Sequence, residues 1–191
     1  FLNNPQFSLK QVIVKTEGSL TAQKIVRTSA LTTGTNLLTV NMHELQRRLM
    51  QLPQVKAVKI KRDYEGRLTL EVDQRQPVAW LECAKLGLLA GRPDVGCFID
   101  TEGVTFPCEV VTPAYLALPV IKYETMAQNI PGVAVTDLPI KSALSLLKEL
   151  QDRFEQGAEE LRSIDIQKAY AMTAFFADQA QIIFGVHDLG E

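Results

Sequence analysis

Few residues in this chain could do bond chemistry. Its two histidines, His43 and His187, fall in different predicted domains, so they are not expected to share a metal ion. The three thiols, Cys83, Cys97 and Cys108, lie within one 26-residue segment at spacings that fit no zinc pattern. A bridge between two of them and three buried free thiols both fit that spacing. The strong burial tendency of free cysteine favours the thiols. Among the carboxylates, Asp94, Asp100 and Glu102 stand near one another, but Asp100 and Glu102 are accounted for as turn residues. No nucleophile–base pair, phosphate-cradling glycine loop or His-Glu pair on a helical turn is present. The expectation is a protein with no catalytic residue, cofactor, metal or small-molecule substrate.

The bulk properties agree. The chain has 191 residues, 46% apolar and 22% charged, which suits one large domain or two small ones with real cores. A net charge of −2 with no basic block argues against nucleic-acid binding. No run of about 18 apolar residues is present to span a bilayer, and there is no signal peptide. The chain starts at Phe1 rather than Met, which leads us to expect a fragment or processed product.

The elements come next. "FSLKQVIVKTEG" (7–18) alternates as a strand and ends at Gly18. "TAQKIVRTSAL" reads as a short helix capped by Thr21, with Ile25, Val26 and Ala30 on one side. "TTGTNLLTV" is a connection turning at Gly34 and Asn36. In "NMHELQRRLMQLP", Asn41 caps a helix and Glu44 is placed to reach back to the cap N–H. Met42, Leu45, Leu49 and Leu52 make its apolar stripe, and Pro53 stops it.

"KAVKIKRDYEGRLTLEVD" is a hairpin. A three-residue loop, Tyr64-Glu65-Gly66, sets Ile60 across from Leu70, Val58 across from Val72 and Lys59 across from Glu71. A four-residue loop would scramble the two faces. The lysines and arginines from Lys56 to Arg67 then form a basic wet face. It could meet anionic headgroups or an acidic partner, but ordinary solvation accounts for it more simply.

After Arg75-Gln76-Pro77 a second β region begins at "VAWLECA", where Trp80 between Val and Leu is read as core rather than as an exposed anchor. A glycine- and proline-rich loop follows over 85–96. "CFIDTEGVTF" is a hairpin, "LALPVIKYE" (116–124) a short strand, and "DLPIKSALSLLKELQDRF" the clearest helix. We expect that helix to be capped by Asp137, to bury Ile140, Ala143, Leu144, Leu147, Leu150 and Phe154, and to stop at Gly157. Three strand-like runs close the chain: "LRSIDIQ", "AMTAFFA" and "QIIFGVH".

The strand–helix–helix–strand–strand unit resembles a POTRA domain. The whole order resembles the extracytoplasmic part of the bacterial division proteins FtsQ/DivIB. "VDQRQPVA" followed by "IDTEGVTF" carries this most specifically, at the junction of the family's two domains. "FSLKQVIVKTEG", "TTGTNLLTV", "LALPVI" and "AQIIFGVHDLGE" add to it. Departures are an extra residue before Gly18 and a longer 85–96 loop. The family also continues with a further helix and final strand where this chain stops at Glu191.

The resemblance implies an α+β protein: a POTRA domain (β-α-α-β-β) over 7–76, then a β domain over 77–191 with a mainly antiparallel sheet, one long helix and no C-terminal helix and strand. It implies one transmembrane helix before Phe1, a periplasmic location, and a non-enzymatic scaffold that holds FtsB- and FtsL-like proteins during septal peptidoglycan synthesis. Strand addition to a sheet edge offers a physical route, and Gln181, Ile182, Ile183, Phe184 and Val186 are the candidate edge, although the same run equally fits an interior strand. A POTRA-bearing outer-membrane assembly or secretion component is the alternative. That class carries repeated POTRA units or a barrel, whereas the unit occurs once here. An unrecognised hydrolase would need a cleft of convergent titratable groups.

Overall fold

Helix starts are set by side chains that accept from the first turn. In the computed structural model, which describes residues 7–63, 65–153, 161–168 and 171–185, Thr21 Oγ1 accepts from Lys24 N–H at 3.3 Å and Asn41 Oδ1 from Glu44 N–H at 3.1 Å. These caps open α1 (Ala22–Ser29) and α2 (Met42–Leu49). Both belong to the first of two units, Phe1–Gln76 and Pro77–Glu191. Two details depart from expectation. Ala30 is exposed, because it is the left-handed C-cap of α1 at φ +53°, and Ser29 takes the buried place. Glu44 does not close a capping box; its carboxylate turns to Arg47, with the shortest contact at 2.8 Å. An i,i+3 guanidinium outcompetes a backbone N–H for it.

The first unit's sheet comprises β1 (Gln11–Thr16), β2 (Val55–Arg62) and β3 (Arg67–Gln74) in the order β1-β3-β2. The hairpin register is the expected one: Val58 faces Val72, Lys59 faces Glu71 and Ile60 faces Leu70. Asp63 N–H donates to Arg67 O at 3.0 Å across the turn, and Gly66 is left-handed at φ +87°. Tyr64, the first loop residue, lies outside the described residues. β1 runs parallel to β3 and completes the core-facing rows, with Val12 beside Leu68 and Val14 beside Leu70. Leu68, Leu70, Ile25, Leu45 and Leu49 fill the core between sheet and helices.

Gln74 fastens the β1–α1 connection to this core. Only 2% exposed, it accepts from Leu20 N–H at 2.8 Å and donates to Leu20 O at 2.9 Å and Thr16 Oγ1 at 2.6 Å. Gly18, at φ +137°, lies so close that a Cβ there would strike Gln74 Oε1. Gln74→Leu leaves the Leu20 N–H and C=O unpaired, at about 1–3 kcal/mol each. A loss of roughly 2–6 kcal/mol, read from the urea midpoint, is the expected result.

The second unit is built on a seven-stranded sheet. Its strands are β4 (Ala79–Glu82), β5 (Cys97–Ile99), β6 (Thr105–Pro107), β7 (Val120–Lys122), β8 (Leu161–Lys168), β9 (Ala171–Phe176) and β10 (Gln181–Gly185). The order is β10-β9-β8-β7-β4-β5-β6, with β7 parallel to both β4 and β8 and every other pair antiparallel. A 16-residue helix makes the β7-to-β8 crossover, as parallel neighbours require. A four-residue helix, α3 (Pro113–Leu116), precedes β7, and α4 (Leu138–Arg153) is the crossover. The strand expected from Leu116 therefore begins only at Val120. Thr112 caps α3 with Pro113 at its start, a signal present in the sequence and missed.

α4 presses Ile140, Ala143, Leu146, Leu147 and Leu150 onto one sheet face, against Leu81, Ile99, Ile121, Ile164 and Met172. Leu146 occupies the buried place expected of Leu144, which is half-buried. The expected ends of this helix, Phe154 and Gly157, lie outside the described residues. The opposite face holds Trp80, Phe98, Phe106 and Cys108, with Tyr115 of α3 over them.

Candidate partner-binding edge

The β9–β10 hairpin turns on local polar chemistry. Gln179 is left-handed at φ +68° and donates its N–H to Phe176 O at 3.2 Å. Asp178 Oδ1 accepts from Ala180 N–H at 2.9 Å, and Phe176 N–H donates to Ala180 O at 3.0 Å. Ala177, expected in the strand, belongs to this turn.

That pairing sets the direction of every main-chain group in β10. Ala180 bonds Phe176, and the register then places Ile182 opposite Ala174 and Phe184 opposite Met172. Antiparallel residues alternate between bonded and non-bonded pairs. Ala180, Ile182 and Phe184 therefore turn their N–H and C=O toward β9. Gln181, Ile183 and Gly185 turn theirs outward. Among the described residues no strand lies on that outer side.

The side chains suit the same place. Ile183 is 75% exposed and Ile182 45% exposed, while Phe184 is half-buried against the core under α4. Adjacent strand residues point to opposite faces, so the edge offers an isoleucine on each side. Four of the expected edge residues, Gln181, Ile182, Ile183 and Phe184, thus stand on the terminal strand of the sheet. Val186 lies outside the described residues.

The sheet's other edge is closed. β6 is covered by the segment that leads to α4: Gly132 N–H donates to Thr105 O at 2.6 Å and Val135 N–H to Gly103 O at 2.9 Å, with a bridge between Val104 and Ala134. Among the described residues the β10 edge is exposed, apolar and uncovered, and such an edge is a template for another strand.

Among the described residues, no group of three or more metal-ligating side chains converges. Asp100 Oδ1 accepts from Glu102 N–H and Val104 N–H, which makes it the turn residue expected. His43 is exposed on α2, and His187 lies outside the described residues. An open cleft of about 650 Å³ lies between the 101–103 turn and α4, and Ser145 lines it, but the Ser145 hydroxyl donates to the Lys141 carbonyl at 3.1 Å. The three cysteines are free and buried. Burial pushes the Cys97 thiol up to about 11, against a smaller opposing effect of the Asn129 amide. Cys97 is therefore expected to resist thiol reagents at about pH 8 until the chain is unfolded in urea, as counted by mass spectrometry.

On the first unit, Glu71 lies among Lys61, at 2.8 Å, and Lys15, at 3.8 Å. The Lys61 hydrogen bond holds its carboxyl below the ordinary range. Asp63 is lowered by its side-chain bond to Arg67 and by accepting from the Arg67 and Glu65 amides. Groups depressed in the folded state contribute stability above their unfolded pKa and lose it as pH falls through the folded value. Asp63→Asn and Glu71→Gln are each expected to flatten the fall in denaturation midpoint between about pH 5 and pH 3.

Residues 7–75 match the family model described as "POTRA domain, FtsQ-type". The chain is 26% identical over 188 residues to "Cell division protein FtsQ" of Myxococcus fulvus, covering 98% of this chain and 62% of that protein. It is 25% identical over 171 residues to the protein of the same name from Geotalea daltonii, covering 90% and 58%. With the Mycolicibacterium smegmatis protein of that name it shares 22% over 184 residues, covering 96% and 49%. It thus spans between 49% and 62% of the length of these relatives. Among the described residues no helix is long and apolar enough to cross a membrane. Residues 7–75 thus form a POTRA domain of the FtsQ type, and the chain, with its β-α-α-β-β unit followed by a sheet-rich domain carrying one long helix, is similar over most of its length to cell division proteins named FtsQ.

Proposed function

We propose that this chain is a non-enzymatic scaffold of the division machinery and that β10 is its docking strand. An extended segment of another division protein adds to the outer side of β10. Gln181, Ile183 and Gly185 supply main-chain hydrogen bonds, and Ile182 and Ile183 select apolar side chains on the two faces. FtsB- and FtsL-like proteins are the proposed partners, in a periplasmic setting with the anchor N-terminal to Phe1. Organising septal peptidoglycan synthesis is the proposed outcome. The observation that carries this reading is the asymmetry of the sheet: β6 is covered by the 132–135 segment, while β10 has no strand outside it among the described residues.

Depletion in the source cell tests the role, and complementation tests the site. Depletion is expected to give filaments without septa, and the Ile182→Lys/Ile183→Lys double variant is expected not to restore division. Normal division on depletion contradicts the role. Full rescue by the double variant contradicts the site.

A further inference from the structure

A net charge of −2 conceals a strong segregation. Phe1–Gln76 holds 12 lysines and arginines against 6 acidic residues, net +6, whereas Pro77–Glu191 holds 8 against 16, net −8. Within the basic unit one strand stands out. β2 reads VKAVKIKR, with four cations, no carboxylate, and Lys56, Lys59, Lys61 and Arg62 all exposed. It is an edge strand of its sheet. Across the wet face, Lys59 and Lys15 flank Glu71 in one row of three strands.

We infer that this basic edge docks on an anionic lipid bilayer surface. The edge is poorly made for an acidic strand: its register breaks between Val55 and Ala57, and lysines along an edge oppose strand pairing. Its cations are mostly lysine, a compact charge on a flexible stem, rather than the planar arginine forks that read shaped partners. The charge is not confined to the strand, since Lys24 and Arg27 of α1 add to it, and on α2 Glu44 offsets only one of Arg47 and Arg48. A diffuse field of this kind matches a delocalised anionic surface. The same surface repels a unit of net −8, so only the first unit is drawn to it.

The test is flotation of the 191-residue chain with vesicles of equal phosphatidylglycerol and phosphatidylcholine, against phosphatidylcholine alone. Co-flotation is expected on the anionic vesicles in about 0.01 M salt and not in about 1 M salt, where the screening length falls to about 3 Å. Each lysine near such a surface contributes about fivefold to partitioning. Lys56→Gln/Lys59→Gln is therefore expected to lower it roughly twenty-five-fold, while Lys141→Gln/Lys148→Gln on α4 leaves it unchanged. Far-ultraviolet circular dichroism establishes that both double variants are folded. Ile183→Pro is expected to float like the parent, which separates this result from the β10 reading. Failure to float on anionic vesicles at low salt overturns the proposal. So does equal loss in both double variants, or capture by immobilised polyglutamate without capture by the vesicles, which would point to an acidic protein instead.

Discussion

Ile183→Pro is expected to weaken binding of an FtsB-like partner segment by on the order of a hundredfold while the chain stays folded. The Ile183 N–H faces the open side, so proline removes no hydrogen bond within the sheet, and edge strands tolerate proline on that side. An added strand loses that donor, and the ring obstructs its neighbours. Two or three main-chain bonds at about 1 kcal/mol each amount to that factor. Ile182→Pro is the contrast. Its N–H bonds into β9 opposite the fully buried Ala174, so the same replacement one residue earlier breaks the sheet itself. Titration calorimetry for affinity and thermal melting for stability separate the two. Equal affinity of parent and Ile183→Pro would show that the partner binds elsewhere.

Trp80→Ala is expected to cost the second unit about 3–5 kcal/mol, a large fraction of a domain's typical stability. Trp80 is 1% exposed, lies 4.2 Å from Phe98 between ring centroids, and donates Nε1–H to Tyr115 O at 2.7 Å. It ties β4 to α3 through that bond and holds the packing of the sheet face opposite α4. Gly96 is shaped around it: a Cβ there would lie 2.7 Å from the indole ring and collide with the Arg92 carbonyl. Trp80→Phe keeps most of the volume and removes one of two donors to the Tyr115 carbonyl, which still accepts from Leu118 N–H at 3.2 Å, for a loss of about 1 kcal/mol from the hydrogen bond. Circular dichroism in urea measures all three chains. Trp80 is the chain's one tryptophan, so parent fluorescence reports the second unit by itself.

Local features of the fold could be read from the residues alone because their causes are local. The register of Val58 with Val72 follows from a three-residue loop and from matching charges opposite one another. The caps at Thr21 and Asn41 follow from side chains that reach their own first turn. Partners distant in sequence leave no such trace. Nothing in "QVIVKT" says that it runs parallel to β3, or in "VIK" that it lies between β4 and β8. Leu144 and Leu146 are both compatible with an apolar stripe, and the choice between them depends on the packing of α4 against strands distant in sequence. The candidate site shows the same division. The residues Gln181 to Phe184 could be named as a strand from their composition. Their place at the border of the sheet depends on the order of seven strands, and their exposure depends on what the rest of the chain leaves uncovered.

Amide hydrogen exchange in β10, resolved residue by residue by NMR, tests the docking strand most directly. In the chain alone, the Ile183 and Gly185 amides are predicted to exchange rapidly and those of Ile182 and Phe184 slowly; on adding an FtsB-like partner segment, the two fast amides become protected. Ile183 and Gly185 amides already protected without the partner, or still exchanging freely when it is bound, would contradict strand addition at this edge.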